Sequence, residues 1–132
     1  MELQKTDPEF MERFRHFAFD EVAKEENQQL DAPTRYLAIL AALIGCGGVD
    51  AFREMLPAAL ENSVTPVMVK ETVYQAADYL GYGRMLPFLN VTNETFTQME
   101  IALPLPGQAT TTMNDRLEKG VEEGPHQPLA GR

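Results

Sequence analysis

The stretch LDAPTRYLAILAALIG, residues 30–45, constrains this chain more than any other. Asp31 is placed to cap a helix, Pro33 is tolerated in a first turn, and Leu37, Ile39, Leu40, Leu43 and Ile44 fall on nearly every face of the helix that follows. A helix with no polar side has to be covered all round, by its own chain or by a second copy. Gly45, Gly47 and Gly48 end it, because glycine tolerates the left-handed backbone common just past a helix terminus.

Cys46 sits inside that glycine turn. The sequence reads it as a small buried residue at a helix end, with a reactive thiol as the alternative. Asp50 then reads as the cap of a third helix, AFREMLPAALEN, which buries Phe52, Met55, Leu56, Ala59 and Leu60 and is kinked at Pro57. A fourth helix opens at Thr65 and Pro66 and stops at Gly81; its Val, Thr and Tyr content favours a strand, but its length and caps favour helix. A fifth is expected from about Arg84 to about Met99.

Upstream, residues 6–29 read as one amphipathic helix capped by Asp7, with Pro8 in its first turn and a Glu9–Arg13 pair on its wet face. Phe10, Phe14 and Phe17 read as core or subunit-contact residues, and His16 as a solvated one. Residues 1–103 thus form an all-α domain of about five helices. Residues 104–132 change character, with proline, glycine and threonine clusters, and read as an extended or disordered tail in which NDRLEKGVEEG forms at most a short helix.

The bulk numbers narrow the function. A chain of 132 residues with 44% apolar content builds an ordinary core without disulfides. One cysteine suits a reducing compartment and excludes a Cys-rich zinc site, and the two histidines, His16 and His126, are far apart. A net charge of −9 argues against nucleic acid and anionic membranes. The first residues, MELQKTDPEF, lack a secretory pattern, and no apolar run approaches the roughly 18 residues of a membrane span. The expectation is a cytoplasmic protein. No glycine loop of phosphate-cradling spacing appears, so no cofactor and no metal is implied.

LDAPTRYLAILAALIG together with AALENSVTPVMVKETVYQAADYLGYGRM resembles the carboxymuconolactone decarboxylase family, which includes the alkyl hydroperoxidase D-like proteins. The resemblance spans residues 30–85 and lies in the order and spacing of a Leu-rich Arg helix, an Ala-Leu pair, a Thr-Pro start, Glu71, Tyr79 and Gly81. It implies an all-helical fold whose core is completed in a homo-oligomer, typically a trimer or hexamer. Redox members carry Cys-x-x-Cys-x-x-x-His at the start of the third helix. Counting back from Ala59 and Leu60, those positions hold Gly48, Ala51 and Met55, so peroxidase chemistry of the two-cysteine type is not expected.

Three function classes follow. As a lyase or isomerase acting on a small organic acid, the chain would use Arg35 to hold a carboxylate and Glu71 and Tyr79 to move a proton, provided they converge. The structural alternative makes Arg35 and Glu71 an ion pair and Tyr79 a core residue. As a single-thiol antioxidant it would use Cys46 and an external thiol. As a catalytically silent scaffold or small-molecule-binding domain it would keep the helices and none of the chemistry.

Overall fold

The computed structural model describes residues 3–26 and 29–123, and side chains through residue 119. Among these residues there is no strand. The helices are α1 (Leu3–Thr6), α2 (Pro8–Arg15), α3 (Ala32–Gly45), α4 (Val49–Glu61), α5 (Pro66–Leu80), α6 (Tyr82–Gln98) and α7 (Arg116–Glu123). The fold is all-α, and α3 to α6 carry the core.

Two helices begin where local chemistry demands. The Asp31 carboxylate accepts the Thr34 N–H at 2.8 Å, and Pro33 fits the first turn of α3 without needing an N–H of its own. Thr65 does the same for α5, its hydroxyl accepting the Met68 N–H at 3.2 Å with Pro66 following. The helix overrides the strand-like composition of α5 because Val69 and Val73, four residues apart, both reach the core. Gly81 ends α5 and also caps α6, at φ 82° and ψ 156°. A side chain would be strained at that φ, so glycine makes a one-residue connection possible. α6 consequently starts at Tyr82, two residues before the position read from the sequence.

Two expected caps are not observed. Asp7 makes no capping bond; its carboxylate accepts the Thr6 hydroxyl at 2.6 Å. Asp50 lies inside the first turn of α4, because Phe52 N–H already bonds the Gly48 carbonyl at 2.9 Å and makes Gly48 the cap residue. Pro57 stands inside α4 without ending it. The single helix expected over residues 6–29 runs as one right-handed helical stretch from Pro8 to Lys24, with a change of hydrogen-bonding pattern inside it, and ends at the extended Glu25; residues 27–28 lie outside the described residues. Beyond α2 the backbone widens to π geometry over His16–Glu21 and tightens to a 3-10 turn over Val22–Lys24. Such runs lack the regular ladder that a well-packed helix keeps. The Glu9–Arg13 pair forms at 2.6 Å, while Phe10 is 66% exposed and stacked on Phe14, with Phe17 exposed beside them. None of these rings belongs to the chain's own core.

That core is built from Leu40 and Ile44 of α3, Phe52 and Leu56 of α4, Val69 and Val73 of α5, and Met85, Phe88, Val91 and Phe96 of α6. Phe52 and Phe88 meet edge to face with centroids 5.3 Å apart, which joins α4 to α6. α4 runs back along α3, so that Asn62 at its end donates to the Tyr36 hydroxyl near the start of α3 at 3.4 Å. The buried Thr92 hydroxyl is satisfied by the Phe88 carbonyl one turn back, at 2.8 Å. Only Leu40 and Ile44 of α3 are fully covered; Ala38, Ala41 and Ala42 are exposed. After α6 the chain runs without regular structure to α7.

The α3 cap titrates. The hydroxyl and N–H of Thr34 hold the Asp31 carboxyl below its ordinary value of 3.8. A carboxyl lowered on folding contributes stability above its unfolded value and loses it as pH falls through the folded one. The melting midpoints of the wild type and Asp31→Ala should therefore differ at neutral pH and converge as pH drops from about 5 to about 2. A constant gap would remove the carboxylate from the cap.

Candidate functional site

The side of α5 that carries Glu71, Thr72, Gln75, Ala76, Tyr79 and Leu80 follows the helical repeat and faces Ala41, Ile44 and Gly45 of α3. Between the two helices lies an open, mainly apolar groove of about 510 Å³. A second groove of about 360 Å³ continues from it: Ile44, Gly45 and Leu80 line both. This extension reaches Cys46, Gly47 and Val49 in the glycine turn and Arg84, Pro87 and Phe88 on α6. Because Gly81 leaves no loop, the first turn of α6 sits at the end of the groove, and Arg84 comes with it.

The trough therefore gathers an acid, a phenol, a thiol and a guanidinium around an apolar floor. Among the described residues, neither the Glu71 carboxylate nor the Arg84 guanidinium is engaged in an ion pair or a side-chain hydrogen bond. Tyr79 is 87% exposed, so it is not the core residue of the structural alternative. Its ring hangs at the rim because it falls at the last turn of α5, past the helices that would cover it. Cys46 is exposed too, which overturns its reading as a buried residue: it stands one position beyond α3, at the cap, in the open glycine turn. Its Sγ lies 3.5 Å from the Leu43 carbonyl, in donating geometry.

Arg35 is not brought to the trough. It belongs to the first turn of α3, about 14 Å along the axis from Ile44, and its Nη2 donates to the Leu30 carbonyl at 3.1 Å. No ion pair joins it to Glu71 within the chain, so the structural pairing is not observed. Arg84 is the cation that sequence reasoning missed. Its signal was a Gly at position 81 that stops one helix and starts the next, which fixes where the following arginine goes.

On another face of α4, Ala51 and Met55 line a hollow of about 390 Å³ with Ile39 and Leu43 of α3 and with Met11, Phe14 and Phe19 of the N-terminal segment. Gly48, the third position of that set, caps the helix. A Cβ built on it would stand 3.3 Å from Leu43 Cδ2 and 3.4 Å from Cys46 Sγ. These positions sit along one side of a helix start, in a pocket whose walls are mostly apolar, and the set carries neither thiol nor imidazole.

Residues 8–94 match the model of the carboxymuconolactone decarboxylase family. The chain belongs to that family. The match takes in α2 and most of α6 in addition to the central block, so the N-terminal segment is part of the family domain. No curated protein and no solved structure matches the chain at a significant level. Within this carboxymuconolactone decarboxylase family member the single cysteine rules out an internal two-cysteine redox couple. No helix among the described residues is long and apolar enough to cross a membrane.

Exposure gives the thiol a direct test. Cys46 should react stoichiometrically with a disulfide reagent in the native protein, at a rate that denaturant raises only modestly. A thiol that titrates only after unfolding would mean that another part of the assembly covers the glycine turn.

Proposed function

We propose that this carboxymuconolactone decarboxylase family member binds a small carboxylated metabolite in the trough between α3, α5 and α6 and acts on it as a non-redox lyase or isomerase. The observation that carries this reading is the pair of unengaged charges, Glu71 and Arg84, on the walls of one continuous apolar-floored trough. Decarboxylation or double-bond migration in a lactone acid needs a cation to hold a carboxylate and a group that takes and returns a proton. Arg84 takes the first role, with a guanidinium whose planar fork matches a carboxylate. Glu71 takes the second, and the Tyr79 hydroxyl hydrogen-bonds the substrate at the rim. An apolar floor excludes water and strengthens each of these contacts.

Glu71→Gln is expected to lower turnover of lactone acids by roughly 10²-fold or more, while Arg84→Gln acts mainly by raising KM. Unchanged turnover in both variants would sink the assignment.

A second reading, a catalytically silent scaffold or binding domain, is favoured by the apolar hollow at Ala51 and Met55. It predicts that the wild type binds small acids and turns none of them over. Use of Cys46 as a single-thiol antioxidant is a third, supported by its exposure in the same trough as Arg84. A cytoplasmic setting suits the one unpaired thiol.

The same proposal includes a homo-oligomer, a trimer or hexamer. Its support is the uncovered alanine side of α3 and the exposed Phe10, Phe14 and Phe17, since aromatic clusters of this kind are characteristic of subunit contacts. Light scattering at micromolar protein should give a multiple of 14.8 kDa, and Phe10→Glu with Phe14→Glu should reduce it. A wild-type monomer mass would refute it.

A further inference from the structure

Among the described residues, Lys70 is the one charged side chain in the core, only 9% exposed, on the side of α5 that faces α6. Burying an ammonium is costly unless it is paired, and buried lysines usually meet a carboxylate. Lys70 meets none among the described residues. Its Nζ donates to the Asn93 amide oxygen and lies 5.8 Å from the centre of the Tyr74 ring, close enough for a cation–π contact. An ammonium has three N–H donors, and Asn93 accepts one of them.

Both of those partners, and Lys70 itself, line a cavity of about 450 Å³ between α5, α6 and the segment 103–108. The opposite wall is apolar, formed by Leu103, Pro104, Leu105 and Pro106, with Gln108 beyond them. Gln108 is held by its own bond to the Pro106 carbonyl at 3.0 Å. Lys70, with both partners of its ammonium, therefore borders a space that has room for an anion. Burial also pulls the Lys70 pKa below its ordinary value, the behaviour of a cation still lacking its counter-ion.

We propose that Lys70, Asn93 and Tyr74 form a second ligand site, separate from the trough, which takes the carboxylate of a small organic acid with an apolar body. The carboxylate replaces water at the free N–H groups of Lys70, and the apolar body lies against Leu103 and Leu105. A single carboxylate suits the site better than a phosphate dianion because one ammonium supplies one positive charge, and Glu71, which lines this cavity as well as the trough, opposes a second negative charge. An anion here ties α5, α6 and the 103–108 segment together through one contact.

Benzoate is the probe, titrated by calorimetry into the full chain. The wild type should bind it saturably, and Lys70→Met should bind it at least tenfold more weakly while keeping its helical circular dichroism. Inorganic phosphate should not displace it. Equal binding by Lys70→Met, effective competition by phosphate, or no binding to the wild type would each overturn the proposal. The wild type also gives a readout that needs no variant: benzoate should shift the methyl resonances of Leu103 and Leu105. Shifts confined to Ile44 and Leu80 would place the acid in the trough and overturn it.

Discussion

Leu40 and Ile44 are the two side chains of α3 that the rest of the chain covers completely, and the arrangement of the other helices follows from their burial. α4 folds back along one flank through Phe52 and Leu56, while α5 closes the other through Val69 and Val73. α6 completes the layer because Phe88 meets Phe52 edge to face. Burying an aromatic or aliphatic side chain of this size is worth about 1.5–3 kcal/mol, so a handful of such residues sets the geometry. The trough is a by-product of this packing: it lies where α3 and α5 meet, beside Ala41 and Gln75.

The family's usual redox position and the trough lie on different sides of α4 and α3, with different chemistry. At Gly48, Ala51 and Met55 the helix start survives, yet the hollow beside Ala51 and Met55 is walled mainly by apolar side chains, with Arg15 and Glu54 of opposite charge among them. A thiolate needs an electropositive, partly wet setting to form near neutral pH. Cys46 belongs to the carbonyl end of α3, opens on the trough, and shares it with Arg84. A family scaffold can therefore keep its helices while its polar groups gather somewhere else.

Elements whose cause is local were legible in the sequence. Asp31 with Pro33, Thr65 with Pro66, and Gly81 each act within four residues of themselves, and each stands where the pattern put it. What failed depended on distant neighbours or on competition between close ones. Asp50 lost its capping role because the glycine turn lets the ladder start two residues earlier, and Asp7 lost its own to the adjacent Thr6 hydroxyl. Arg35 and Glu71 share a motif but not a place, since periodicity says which side of a helix a residue occupies and nothing about which end meets which. Lys70 was invisible for the same reason: in sequence it is one more polar residue on a helix, and only the return of α6 buries it.

The one-residue connection at Gly81 fixes more than a turn. Surface loops ordinarily absorb insertions and deletions without disturbing the elements they join. Here α5 hands over directly to α6 through one residue, so the joint has no slack to take up an added residue while keeping Arg84 beside Leu80 and Phe88 against Phe52. Core, trough and lysine cavity all take their register from that joint. Chain length there is under as tight a constraint as residue type.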